Sequence, residues 1–321
     1  MKKSFCELVL DFNPRISEVE NLYGTSIINC VFNSFLSYTA IMLNIVTMHA
    51  IRKTSSLPKT LKTLLLSLAV SDVGVGLLVQ PFYTSLLFKW SQQIVPNCNT
   101  YRTFSMIGIL FGTNSFLGVV ALSVDRFLAV HLHLRYQEIV TRKRVVAVVM
   151  LIWVLSMFLS LTTWWTPPSI SSLFLCIILG VGLVLTTMVY IRIYLAARRH
   201  KNQIQVLQVQ QRGQTGEIPN FVSLIKSAVG IFYVYLVFLI CYLPYIISVV
   251  VIITTGSSVH VKKLHYFSLT IVFLNSSLNP VIYCLKMKHI RHAIMNILRN
   301  ISWHRNRVSH ETLEMSGPST P

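Results

Sequence analysis

Charge is what this sequence has least of. Charged residues make up 12% of its 321 positions, against about 25% in an ordinary soluble domain. With 53% hydrophobic residues, the chain cannot cover a water-facing surface of normal polarity, and lipid is the solvent indicated. Acids are especially scarce: 10 Asp and Glu stand against 28 Lys and Arg, a formal charge of +18. In a soluble protein that excess would point to nucleic acid. The six cysteines form no CxxC pair and no His/Cys cluster, which argues against zinc and redox frameworks. GxGxxG, P-loop and HExxH patterns are also missing, so no enzyme and no cofactor is expected. The opening MKKSFCELVLDFNPR has too short an apolar run, broken by Glu7 and Asp11, to read as a signal peptide.

Long apolar runs are what the chain has instead. Seven blocks, at approximately 25–51, 59–87, 100–130, 144–166, 171–197, 221–255 and 264–285, each reach the roughly 20 residues needed to cross about 30 Å of hydrocarbon. Backbone polar groups in lipid must be satisfied internally, and runs without strand alternation achieve this as helices. The expected fold is an all-α membrane protein, a seven-transmembrane helix bundle. Twenty-one of the 28 Lys and Arg fall in stretches 52–62, 126–144, 192–226 and 286–321, all on one side of such a bundle. The positive-inside rule makes that side cytoplasmic and the amino terminus extracellular. Basic residues are thereby explained by topology, and no nucleic acid partner is needed.

The domain order expected is an extracellular segment 1–24, a transmembrane domain 25–285, a membrane-surface helix 286–300 and a cytoplasmic tail 301–321. After Tyr283, LKMKHIRHAIMNIL places Leu285, Ile290, Ala293, Ile294 and Ile297 mostly on one helical face with Lys and Arg opposite, a pattern suited to the inner leaflet. The tail beyond about Arg305 is polar and reads as disordered.

Polar groups inside the apolar blocks carry the functional signal. A charge near the bilayer centre costs at least about 2.5 to 3.5 kcal/mol on insertion scales, so it normally faces the bundle interior. Within the expected spans only Asp72 and Asp125 are acidic. Asn275, Asn279 and Tyr283 are spaced four apart on one face, and Pro280 frees a carbonyl and bends the helix that carries them. Ser115 lies eleven residues before Arg126, roughly 16 Å away along the same side of a helix.

Asn44 in MLNIV, SLAVSD ending at Asp72, DRF at 125–127, Trp153 in LIWVLS, FLICYLP at 238–244 and NPVIY at 279–283 occur in the order and spacing of the rhodopsin-like (class A) G-protein-coupled receptors. The chain resembles that family over nearly its whole length. The resemblance implies a plasma-membrane receptor that binds an extracellular ligand and activates heterotrimeric G proteins as the sixth helix swings outward, with arrestin as a further partner. It implies a sodium site enclosed by Asp72, Ser115, Asn275, Ser276 and Asn279, for which carboxylate, hydroxyl and amide oxygens are suitable donors; a water-filled packing network is the alternative. It makes Asp125 the restraint on Arg126, Tyr190 and Tyr283 the residues that steady the open state, Pro244 and Pro280 the kinks, and Arg126 and Leu134 contacts for the G protein.

Departures from the pattern matter as much. Phe127 follows the arginine where tyrosine is usual. Leu224 replaces an acid facing Arg126, so a second ionic restraint is absent and basal signalling is expected. Tyr242 replaces the usual tryptophan, and Gly182 replaces the fifth-helix proline, retaining flexibility, with Phe116 and Phe238 as its neighbours by match. Tyr101 stands where the family's cysteine falls, leaving Cys98 to pair with Cys176 or Cys6, or no bridge at all.

Gly108 occupies the position where biogenic-amine receptors carry an aspartate, and no other acid is expected in the outer half. A protonated amine would there lack a counter-ion. Gly108 and Gly112, with Tyr242, Tyr245, Leu269 and Phe273 opposite, outline a roomy apolar pocket for a lipid-like or neutral small molecule or one end of a peptide; close helix packing at the glycines is the alternative. A very short second outer loop, the missing fifth-helix proline and the irregular cysteine resemble the melanocortin, cannabinoid and lysophospholipid receptors, a group near which the adenosine receptors also belong. An ion-conducting or transporting bundle is the competing class, but repeated halves and broken helix pairs are not visible.

Overall fold

The computed structural model describes residues 11–297 and 299, apart from 56, 95, 133, 134 and 211–217. Seven of its helices are long and apolar enough to cross a membrane, and there is no strand among the described residues. They are α1 (Ile16–Lys53), α2 (Lys59–Ser91), α3 (Cys98–Leu132), α4 (Arg142–Thr162), α5 (Pro168–Gln210), α6 (Ile218–Thr255) and α7 (Val259–Lys286). A short α8 follows over 288–297. α3 runs through the middle, touching α2, α4, α5 and α6, while α7 lies between α6 and α1.

α1 starts at Ile16, ahead of the apolar block expected from 25, because its first turns project beyond the apolar stretch. Its start is fixed by Glu18, whose carboxylate accepts from the Arg15 backbone N–H at 2.9 Å. The half of the bundle where α1 begins therefore does contain an acid, which corrects the reading that only Asp72 and Asp125 lie within the spans.

Proline and glycine shape the bundle locally. Pro81 donates no backbone hydrogen bond, and α2 answers with a widened π turn at Val75–Val79 just before it. Pro280 likewise leaves the Ser276 carbonyl without its helical donor, and the Asn44 side chain of α1 supplies one at 2.9 Å. Gly182 has a packing role beyond the flexibility expected of it. A Cβ there would sit 2.4 Å from the Phe116 ring, so the missing side chain is what lets α5 approach α3.

α8 differs from expectation in where its apolar face goes. Ile290, Ile294 and Ile297 are buried in the same cluster as Ile51 and Tyr283, so that face packs against the bundle. Leu285, in the last turn of α7, and Met295 of α8 are the large apolar side chains left exposed there.

Candidate functional site

The interior holds three linked regions, a cavity at one end, a mid-depth polar cluster and an ion pair at the opposite end. The cavity, of about 170 Å³, is lined by all six residues expected of it: Gly108, Gly112, Tyr242, Tyr245, Leu269 and Phe273. Its walls carry further aromatic rings, Tyr83, Trp90, Tyr101, Phe104 and Tyr266. The Trp90 indole N–H donates to the Tyr101 hydroxyl at 2.9 Å, so the tyrosine at the missing cysteine position cross-links α2 and α3 by a hydrogen bond. Arg102 is the charged residue of the lining, which includes no carboxylate among the described residues; its guanidinium stands over the Trp164 ring at 4.8 Å.

The floor of the cavity reaches downward by direct contact. Tyr242 stacks on Phe238 with centroids 3.9 Å apart, and Phe238 meets Phe116 at 5.4 Å. Ser276 lines the cavity, and its side chain lies near the Asp72 carboxylate. That carboxylate accepts from Ser115 Oγ at 3.2 Å and from Asn279 Nδ2 at 2.8 Å. Asn275 is buried without a bond to Asp72, and its Oδ1, like Oδ1 of Asn279 and the Tyr283 hydroxyl, has no hydrogen-bond partner. Buried oxygens of this kind are costly unless something satisfies them. A carboxylate beside hydroxyls and unpartnered carbonyl oxygens is a donor set that fits a small hard cation.

At the end of the bundle opposite the cavity, Arg126 and Asp125 are almost fully buried, 2% and 4% exposed. Arg126 donates to Asp125 Oδ2 through Nε, at 3.0 Å, and through Nη2. Its Nη1 donates to Ser227 Oγ of α6 at 3.2 Å. A neutral tie therefore joins Arg126 to the sixth helix, where sequence reasoning looked to position 224; the side chain of Leu224 lies outside the described residues, as does Leu134. The other oxygen of Asp125 accepts from the Tyr136 hydroxyl at 2.7 Å, on a helical turn at Tyr136–Ile139. Burial, and then the neighbouring carboxylate, push that hydroxyl up to about 12, so it remains a donor at neutral pH. Tyr190 is held to Ser123 at 3.0 Å and stacks on Tyr235.

The cysteines resolve one alternative. Cys98 is disulfide-bonded, and Cys176 is a free buried thiol. Cys176 is thus eliminated as the partner, because α5 stays helical around it; Cys6 lies outside the described residues. Sequence reasoning also missed Ser227, Tyr136, Phe12, His265 and the Glu18–Lys262 pair, none of which belongs to a short motif.

A bundle of seven spans with a polar core leading to a buried arginine is the architecture of a seven-helix receptor. Residues 43–283 match the model of the 7 transmembrane receptor (rhodopsin family), and the chain belongs to that family. Similar proteins include the dog adenosine receptor A2a, 25% identical over 83% of this chain and 70% of the relative. The chicken adenosine receptor A2b is 24% identical over 84% and 88% respectively, and the dog histamine H2 receptor 29% identical over 73% and 69%. These relatives are receptors rather than enzymes, and membership implies coupling to heterotrimeric G proteins.

Proposed function

We propose that the protein is a plasma-membrane receptor, amino terminus outside, in which an extracellular ligand bound in the aromatic cavity releases Arg126 to engage a heterotrimeric G protein. The observation that carries this reading is the stack of Tyr242 on Phe238 at 3.9 Å. One side chain faces the ligand space and also leans on the ring that packs α6 to α3. A ligand can shift the bundle only through differential contacts with its two states, and Tyr242 is placed to provide them. Arrestin recognises the same open cleft in this reading.

The ligand is a neutral, largely aromatic or lipid-like small molecule, or the end of a peptide. Support comes from Gly108 at the amine-binding position and from the absence of a carboxylate among the described lining residues. The histamine H2 likeness favours an amine as the competing reading. Adenosine and histamine are therefore the first two probes. Displacement of a neutral aromatic probe, together with no response to histamine, is the expected outcome; a histamine response that survives in Tyr242→Ala would contradict it.

Sodium held by Asp72, Ser115, Ser276 and the orphaned oxygens of Asn275 and Asn279 stabilises the resting state. Basal nucleotide exchange in membranes should fall when sodium replaces a large organic cation, and Asp72→Asn should abolish that dependence. Unchanged sodium sensitivity in the variant would remove the site from the account.

A further inference from the structure

The segment just before α1 is not accounted for by the receptor reading. Phe12 and Asn13 line the cavity. The Phe12 ring lies 6.1 Å from His265, and the Phe12 carbonyl accepts from the Tyr266 hydroxyl at 3.4 Å, so residues 11–14 are tied to α7. His265 is itself fixed by Ser248 of α6 at 3.0 Å and packs against Tyr245, another cavity residue.

What directs the segment there is the first turn of α1. Glu18 caps that turn through Arg15 at 2.9 Å and also accepts from Lys262 Nζ of α7 at 2.7 Å. Lys262 has no exposed surface, whereas Glu18 keeps 17%. An ammonium is not buried to that degree without a structural return, since desolvating it costs several kcal/mol. Here one carboxylate both starts α1 and joins it to α7. The chain leaving Ile16 must therefore cross toward α7, over the cavity.

We propose that residues 11–14 form an outer wall of the ligand cavity, that the Glu18–Lys262 pair is the clamp positioning this wall, and that Phe12 is a ligand-contacting, specificity-determining residue. This rests on the reading of the cavity as the ligand site. With the pair closed, the wall narrows access from outside; with the pair removed, the segment is released from α7 while the cavity floor remains. Larger ligands are selected against by Phe12, and smaller aromatic ones gain a ring contact from it.

The test uses the full chain at the cell surface with a cysteine introduced at Leu269, a cavity residue. Its rate of modification by a membrane-impermeant cationic methanethiosulfonate reagent is compared with that of the chain lacking the added thiol. The expected result is slow modification of Leu269→Cys alone and severalfold faster modification when Phe12→Ala is added. The doubly neutralised Glu18→Gln, Lys262→Met background should show the same rise. That double change removes both charges together, and Phe12→Ala leaves the pair intact, so a folding failure in one does not disable the other. Equal rates with and without these changes would overturn the wall while leaving the cavity reading in place. No modification in any variant would overturn the cavity as an outward-facing site, and the wall with it.

Discussion

Two buried ion pairs stand at opposite ends of the bundle. Asp125 and Arg126 are chain neighbours on α3, whereas Glu18 and Lys262 join α1 to α7 across most of the sequence. The inner pair is local, so opening it exposes Arg126 without undoing any contact between helices except the tie to Ser227. The outer pair is itself a contact between helices. In the proposed reading, burial of charge serves movement at one end and fixation at the other. The general rule that a buried pair is weak evidence for stability would then apply to them differently, the first acting as a restraint on a moving part and the second as a fastening.

Breaking each pair separately should expose that difference. Glu18→Gln should lower the thermal unfolding midpoint most, since losing one member of a buried pair is more damaging than replacing both. The double change with Lys262→Met should recover part of the loss; equal midpoints for the single and double variants would count against a fastening role. Asp125→Asn should raise basal nucleotide exchange well above wild type with a much smaller fall in midpoint, and the reverse order of effects would erase the contrast.

Ser227→Ala refines the inner end. It removes one hydrogen bond to a charged group, about 1.5 kcal/mol, and should raise basal exchange by up to roughly tenfold. No change would mean that α6 is not held through Arg126. The smallest effect is expected from Tyr136→Phe, which leaves Asp125 bonded to Arg126 and removes only the donor at 2.7 Å. A basal rise exceeding that of Ser227→Ala would reverse the assigned importance of the two contacts.

The same comparison explains what could be read from the residues alone. Asp125–Arg126 is visible because neighbouring residues need no fold to meet, and Asn275, Asn279 and Tyr283 because helical spacing fixes their shared face. Asp72 stood out by its cost in lipid, and Ser115 and Asn279 meet it at the depths helical rise dictates. Glu18 was hidden because its helix outruns the apolar block that marked the span. Lys262 looked like an outer-loop cation, since nothing local announces an ion pair spanning α1 and α7. Ser227 escaped for a similar reason: which turn of α6 faces Arg126 depends on the packing of two helices. Gly182 suggested flexibility, and only the Phe116 ring against it reveals a packing role. The face of α8 was recognisable by period, but its burial against Ile51 and Tyr283 was a tertiary choice between bundle and lipid.

The most direct measurement is GDP release from purified heterotrimeric G proteins by the reconstituted full chain, compared with Arg126→Ala at equal folded amount. Basal release by the wild-type chain, rising further with Asp125→Asn and falling to the level of empty vesicles with Arg126→Ala, is the expected result. Release that is absent throughout, or that persists undiminished without the Arg126 guanidinium, would contradict the assignment of this buried arginine as the element that meets the G protein.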